Sequence, residues 1–208
     1  MNAVVVHCHP VEGSFCSALR DAAVRGLTAA GCDVTVLDLA RQEFNPVMSR
    51  GEWEAYRAHE GAKPSESQVI PADIAAHVAA IQNAEILVFT YPTWWSSIPA
   101  QLKGWLERVM MPGVGFRLVN GRVRPGLTNV RHLVVITTYG SPWSYVKAIN
   151  DNGRRTLLRA LRLSTGWRTR RTHLGLYRMD LATEGDRAAF VAKVERRMSA
   201  LATRQGSI

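Results

Sequence analysis

Glu85-Ile86-Leu87-Val88-Phe89-Thr90-Tyr91-Pro92-Thr93-Trp94-Trp95-Ser96-Ser97-Ile98-Pro99 passes from an unbroken apolar run, through an aromatic turn bounded by prolines, into the helical pattern of Pro99–Met111. The run Glu85–Tyr91 is apolar at both odd and even positions, which reads as a strand buried on both faces, the habit of a parallel sheet. The stretch after it carries Leu102, Trp105, Leu106, Val109 and Met110 at helical spacing and stops before Pro112-Gly113. Strand, turn, helix is the unit, and it recurs. Ala3–Cys8 is a second apolar run, followed by Ser14–Ala30 with Leu19, Ala22, Ala23 and Leu27 on one face and Gly31 just past its end. Asp33–Leu37 and Arg131–Thr138 read as further strands, Trp167–Tyr177 as a weaker fifth, with helices over Pro71–Asn83, Ser144–Leu163 and Thr183–Ala202. Repeated βαβ units with right-handed crossovers predict a doubly wound α/β fold of five parallel strands flanked by helices, one domain over residues 1–208.

Two stretches exceed an ordinary connection. Phe44–Gln68 is long and aromatic, with Trp53 and Tyr56, and is expected to be a partly helical excursion that crosses toward a partner subunit. Pro112–Asn129 is rich in Gly and Arg, and Asn120-Gly121 predicts a short hairpin there.

Composition narrows the classes. In 208 residues, 47% hydrophobic and 21% charged residues exclude a disordered chain. No apolar stretch approaches the ~20 residues of a membrane span, so an integral membrane protein is not expected. Met1–His7 runs into the first strand with no basic leader, so no signal peptide is read. Three cysteines, Cys8, Cys16 and Cys32, are no disulfide framework and suit a reducing cytoplasm. The net charge of +9 comes with 22 arginines among 26 basic residues, spread from Arg20 to Arg204. With no recognition motif beside it, that charge reads as a solvated surface rather than a nucleic-acid interface. Arg168-Thr169-Arg170-Arg171 alternates as one face of an edge strand does.

In a doubly wound sheet, ligands bind beyond the carboxyl ends of the strands, where strand order reverses. Three loops therefore matter. His9-Pro10-Val11-Glu12-Gly13-Ser14-Phe15-Cys16 leads into the first helix, with Ser14 as N-cap; unpaired amides at the helix start, the Ser14 hydroxyl and the His9 ring suit a phosphate. It is neither a GxGxxG loop nor a P-loop. Strand alternation puts Cys8 on the face opposite His7 and His9, so those residues do not form a metal site, and Cys8 and Cys16 read as small core residues. Thr90–Ala100 places two adjacent tryptophans in a turn where consecutive side chains diverge, so at least one is exposed as a wall for a planar ring. Thr137-Thr138-Tyr139-Gly140-Ser141-Pro142 is a polar loop able to meet the other edge of that ring. Phosphate end, aromatic wall and polar rim together describe a flavin nucleotide site.

His9-Pro10, Ser14-Phe15, Phe44-Asn45-Pro46, and Tyr91-Pro92-Thr93-Trp94-Trp95 followed by Pro99-Ala100-Gln101-Leu102-Lys103-Gly104-Trp105-Leu106-Glu107-Arg108-Val109 resemble the flavodoxin-like NAD(P)H:quinone oxidoreductases, the DT-diaphorase group with its bacterial relatives. Thr137-Thr138-Tyr139-Gly140-Ser141 resembles that group's Thr-Thr-Gly-Gly turn, with Tyr139 in place of a glycine. The resemblance runs from the first strand to about Asp151. It implies a flavodoxin-like sheet, a noncovalent FMN or FAD, a homodimer, and two-electron reduction of quinones or similar acceptors by NADH or NADPH. By position it implies that His9, Ser14, Phe15 and Cys16 hold the phosphate end. Pro92, Thr93, Trp94 and Trp95 then wall the ring system, and Thr137, Thr138, Tyr139 and Gly140 flank its pyrimidine edge. It also implies that Tyr145 donates a hydrogen bond to substrate or reduced ring. Six residues on, Asp151 stands where mammalian members have a histidine, so the catalytic pair expected here is Tyr145 and Asp151, the latter either solvent-facing or neutralised by Arg154 or Arg155. The hairpin arginines Arg117, Arg122 and Arg124 are candidates for attracting a nicotinamide phosphate. The alternative class is a flavodoxin-like regulatory subunit of a membrane transporter, which a basic surface would suit.

Overall fold

A computed structural model of the chain describes residues 1–59 and 70–203. In chain order the elements are β1 (Asn2–His7), α1 (Phe15–Ala29), β2 (Asp33–Asp38), α2 (Arg50–His59), α3 (Ala72–Asn83), β3 (Ile86–Pro92), α4 (Ala100–Val109), β4 (Phe116–Val119), β5 (Arg122–Pro125), β6 (His132–Thr138), α5 (Trp143–Ala148), α6 (Asn152–Arg155), a π-helical turn (Thr156–Ala160), α7 (Arg162–Thr165), β7 (Arg170–Leu176) and α8 (Glu184–Thr203). The main sheet has the order β2-β1-β3-β6-β7 and every pairing in it is parallel. The strand order reverses between β1 and β3, as expected of a doubly wound sheet.

Alternation along β1 sorts the core into two layers. Val4, Val6 and Cys8 face one side, with Ile74, Val78 and Ile81 of α3 and Leu102, Trp105 and Val109 of α4. Ala3 and Val5 face the other, with Leu19, Ala22, Ala23 and Leu27 of α1 and Phe190, Val194 and Met198 of α8. Strands buried on both faces are the physical reason their sequences read as continuous apolar runs. The expected edge strand is β7, where Arg170 and Arg171 are exposed. Trp167, expected on that strand, lies ahead of it in a turn, exposed beneath the Arg162 guanidinium 4.8 Å from its ring centre.

The hairpin forms as expected: β4 and β5 pair across Asn120 (φ 52°) and Gly121 (φ 70°), a two-residue turn with both centres left-handed. Its arginines Arg117, Arg122 and Arg124 are exposed.

The excursion after β2 is described over residues 44–59; Glu60–Gln68 lie outside the described residues. Its first part packs on α4 of its own chain. Phe44 is buried, and Pro46 approaches α4 so closely that a Cβ on Gly104 would stand 2.2 Å from the Pro46 carbonyl oxygen. Arg108, buried on α4, donates to the Asn45 carbonyl at 2.8 Å and pairs with Glu52 and Asp73 at 2.7 Å each. A buried guanidinium needs such partners, and the excursion supplies two of the three. Tyr56 meets Phe116 edge-on, so of the three aromatics only Trp53 stays exposed.

The single helix expected over Ser144–Leu163 is broken. α5 stops at Ala148, Asn150 (φ 74°) and Asp151 (φ 43°) turn the chain, and α6, the π-helical turn and α7 follow. Asn150-Asp151-Asn152-Gly153 is a run of poor helix formers whose short polar side chains tolerate the left-handed region, a signal present in the sequence.

Candidate functional site

The three loops of interest leave the carboxyl ends of β1, β3 and β6, side by side in the sheet. In the first, Gly13 takes a left-handed turn (φ 80°) and Ser14 caps α1, its Oγ accepting from the Ser17 amide at 3.2 Å. Ser17 Oγ donates to the Val11 carbonyl, so the Ser14 hydroxyl proton is directed to Ser17 Oγ at 3.0 Å. The Ser14 side chain is thus committed within the loop. His9 Nδ1 lies 3.1 Å from both the amide and the carbonyl oxygen of Val11, which holds the ring over the loop through that nitrogen. Phe15 is half-buried against the α1–α8 core layer, and Cys16 is buried with Sγ 3.7 Å from Thr138 Oγ1, its thiol pushed up to about 11 by burial. At Phe15 and Cys16 the groups left for a ligand are the backbone amides at the positive end of α1.

The second loop is a two-residue turn between Trp94 and Ser97, whose amides and carbonyls bond reciprocally at 3.1 and 3.0 Å. Its central residues, Trp95 (φ 47°) and Ser96 (φ 59°), are both left-handed. Glycine and asparagine normally fill such positions, and a bulky residue there stores about 1–3 kcal/mol of strain. The outcome is a fully exposed Trp95 and a half-exposed Trp94, the latter with its ring 6.1 Å from that of His9. The turn is anchored at its base. Pro92 stands in register with Thr138, the Thr93 amide donates to the Thr138 carbonyl at 2.9 Å, and the Thr93 and Thr137 hydroxyls lie 3.2 Å apart.

Tyr139 in the third loop turns inward. Its amide donates to the Leu176 carbonyl at 2.8 Å, its carbonyl accepts from the Met179 amide at 2.9 Å, and its ring is buried, stacked on Tyr177 with centroids 4.6 Å apart. Its backbone and ring are thus engaged within the protein, while Gly140, beside it, stays at the loop surface. The Tyr139 hydroxyl lies 3.1 Å from both oxygens of Asp151 and from His173 Nε2. Burial holds the phenol above its ordinary pKa and pushes His173 down to about 4. A neutral His173, a phenol and a carboxylate therefore form an ordered chain, with the phenol donating to Asp151. Asp151 also caps α6, accepting from the Arg154 amide at 3.4 Å, with Arg154 Nε 3.8 Å away. Of the two expected placements of Asp151, the one with Arg154 beside it holds. Tyr145 sits half-exposed on α5.

His173 and Tyr177 escape a sequence reading because they reach Tyr139 from another strand. The available signal is Tyr139 itself: a buried tyrosine hydroxyl demands a partner. Among the described residues no helix is long and apolar enough to cross a membrane.

Comparison with known proteins agrees with this architecture. The family described as having a flavodoxin-like fold matches residues 1–198. The chain is 32% identical over 151 residues to NAD(P)H dehydrogenase (quinone) 1 of Rattus norvegicus, a match covering 69% of this chain and 55% of that protein. It thus spans about half the length of that relative. It is 28% identical over 214 residues to ribosyldihydronicotinamide dehydrogenase (quinone) of Homo sapiens, covering 95% and 90% of the two chains. In fold it is similar to the solved NAD(P)H:quinone oxidoreductase from Methanothermobacter marburgensis, with a TM-score of 0.80 and 23% identity over 97% of this chain and 98% of that one. A parallel sheet of order β2-β1-β3-β6-β7 and a family match over nearly its whole length lead to one conclusion: the chain belongs to the flavodoxin-like fold family.

Proposed function

We propose that the chain is a flavin-dependent NAD(P)H oxidoreductase that reduces quinones or similar acceptors by two-electron hydride transfer. The observation that carries this reading is the convergence, at the β1/β3 reversal, of a helix start with unpaired amides, a strained turn that presents two tryptophans, and a polar loop. The names of the relatives support it, and the comparisons lend no support to the transporter-subunit alternative.

The donor set fits a flavin nucleotide, FMN or FAD. The amides of Phe15 and Cys16 and the ring of His9 suit phosphate oxygens. Pro92, Thr93, Trp94 and Trp95 suit the face of a planar ring system, and Thr137, Thr138 and Gly140 its polar edge. When bound, the flavin supplies the two-electron carrier. This chain's residues then have three tasks. The tryptophans stack on planar reactants and exclude water. Donors near the pyrimidine edge favour negative charge that builds there, with the half-exposed Tyr145 hydroxyl as one donor. Asp151 is held by Tyr139 and Arg154, so it sets the loop rather than moving protons. We take the working form to be a cytoplasmic homodimer, with the exposed Trp53 as a contact of the excursion.

The test is the visible spectrum of the purified protein followed by turnover with NADPH and a quinone. Yellow protein with stoichiometric flavin release on denaturation is expected. A colourless protein that takes up neither FMN nor FAD overturns the reading.

A further inference from the structure

Behind the Tyr139 network, α5, α6, the π-helical turn and the edge strand β7 enclose a cleft of about 980 Å³. Its wall carries six arginines, between Arg154 and Arg171, and Lys147, against the single carboxylate of Asp151. What sets the cleft apart is that these cations face one concavity. Some arginines elsewhere have carboxylates, as Arg20 with Asp38 at 2.9 Å, Arg25 with Glu195 at 3.0 Å and Arg108 with Glu52 at 2.7 Å, and others, as in the hairpin, stand exposed on the surface. In the cleft, Arg154 has Asp151, Arg162 lies over Trp167 and Arg171 donates to the Leu158 carbonyl at 3.2 Å. Among the described residues, Arg155, Arg159 and Arg170 have no carboxylate within ion-pair distance.

Like charges gathered in a concavity repel one another, and the walls focus their field into the space between them. A bound polyanion relieves that repulsion, and planar guanidinium forks match phosphate oxygens in pairs. The volume accommodates a nucleotide. Trp143, exposed on the cleft wall with Lys147 Nζ 4.7 Å from its ring centre, offers a flat face of the kind an adenine stacks on. The cleft also adjoins the candidate redox site. Asp151, His173 and Tyr177 line it and are the same residues that hold or stack on Tyr139, next to Gly140 of the third loop. The hairpin arginines Arg117, Arg122 and Arg124 line no part of it.

We infer that this cleft binds the phosphate-bearing adenosine end of the hydride donor, so that the chain selects NADPH, with its additional 2′-phosphate, over NADH. The inference rests on the oxidoreductase reading above. A ligand that must reach both the cleft and the ring site spans the Asp151–Tyr177 wall between them, and the strongest charge contrast between the two donors falls on the arginine end.

Calorimetric titration of the purified, flavin-loaded protein with 2′,5′-ADP and with 5′-AMP tests it without turnover. The expected result is that 2′,5′-ADP binds about 10-fold more tightly or better, a difference that shrinks as salt is raised. The Arg155→Gln/Arg159→Gln/Arg170→Gln variant is expected to lose that preference while keeping its flavin content and thermal midpoint. Equal affinities for the two probes, or a variant that keeps the preference, overturn the inference. So does binding of heparin or phosphatidylserine vesicles through these arginines with 2′,5′-ADP silent, which assigns the cleft to a macromolecular or membrane surface. Flavin content is read separately by absorbance. A colourless protein that still prefers 2′,5′-ADP supports the cleft and sinks the oxidoreductase reading; a yellow protein with no preference does the reverse.

Discussion

The Tyr139 hydroxyl lies 3.1 Å from each carboxylate oxygen of Asp151, tying the loop after β6 to the first turn of α6. The contact makes two departures from the resembled family answer one another. A tyrosine stands where a glycine is expected, and it engages the aspartate that stands where a histidine is expected. Tyr139→Phe removes the buried donor of the part-buried Asp151 carboxylate and a partner of His173, and should cost about 1–3 kcal/mol in urea unfolding. Asp151→Asn keeps an acceptor for both Tyr139 and the Arg154 amide and should cost about 1 kcal/mol or less. A neutral Tyr139→Phe would show the network to be dispensable.

Tyr145 and Asp151 separate by kinetics. With Asp151 already engaged by Tyr139 and Arg154, Asp151→Asn should leave flavin reduction by NADPH within a few-fold of wild type. Tyr145→Phe should slow at least one half-reaction, toward the lower end of the roughly 10²–10⁴-fold range of acid–base assistance. Stopped-flow absorbance on both variants decides it, and an inactive Asp151→Asn beside an unaffected Tyr145→Phe reverses the roles.

Acid should weaken the fold in a defined window. Burial pushes His7 and His173 each down to about 4, His7 beside Thr90 Oγ1 at 2.8 Å and His173 beside Tyr139. Between the ordinary 6.5 of a histidine and about 4, the unfolded chain binds more protons than the folded one. Stability therefore rises with pH across that window and is lost as pH falls through it. The urea midpoint should drop steadily from pH 7 to pH 4, and His173→Gln should flatten the slope. An unchanged slope in that variant would place the proton uptake elsewhere.

Trp95 offers a separation of stability from function. Its ring touches solvent and its backbone is left-handed, so Trp95→Gly should leave the fold as stable or more stable, by up to about 1–3 kcal/mol. Flavin or quinone affinity should fall in the same variant, whereas Trp167→Ala should leave it unchanged. Unaltered affinities in both variants would remove Trp95 from the site.

Gly104→Ala tests how the excursion is held. The new Cβ meets the Pro46 carbonyl oxygen and Cβ at 2.2 and 2.4 Å, and the first of these is backbone, so the strand of chain from Phe44 must lift off α4. A loss of about 1–3 kcal/mol or more in urea unfolding is expected. Ala substitution without cost would mean that residues 44–46 move freely on the α4 surface.

Much of this architecture is local information. β1, β3 and β6 are buried on both faces and α1 and α4 on one, so the runs at Ala3–Cys8, Glu85–Tyr91 and Arg131–Thr138 and the stripes of α1 and α4 declare their elements in windows of ten residues or so. Asn120-Gly121 declares its turn for the same reason, since the left-handed backbone needs particular residues. Because doubly wound sheets bind ligands beyond the carboxyl ends of their strands, the three candidate loops followed from the strand–helix repeat. What only tertiary structure decided are the outcomes that rest on partners distant in sequence. Arg108 draws the excursion onto its own chain through Asn45, Glu52 and Asp73. Cys16 and Phe15 offer amides rather than side chains because α1 lies against the sheet and α8. Tyr139 leaves the loop surface for Asp151 and His173, twelve and 34 residues away. The basic cleft likewise exists only because α6 and β7, whose arginines read separately as scattered surface charge, face one another across a crossover. A pattern of residue types carries burial and turn geometry; it does not carry which of two polar groups meets the other, because that depends on how the whole chain closes on itself.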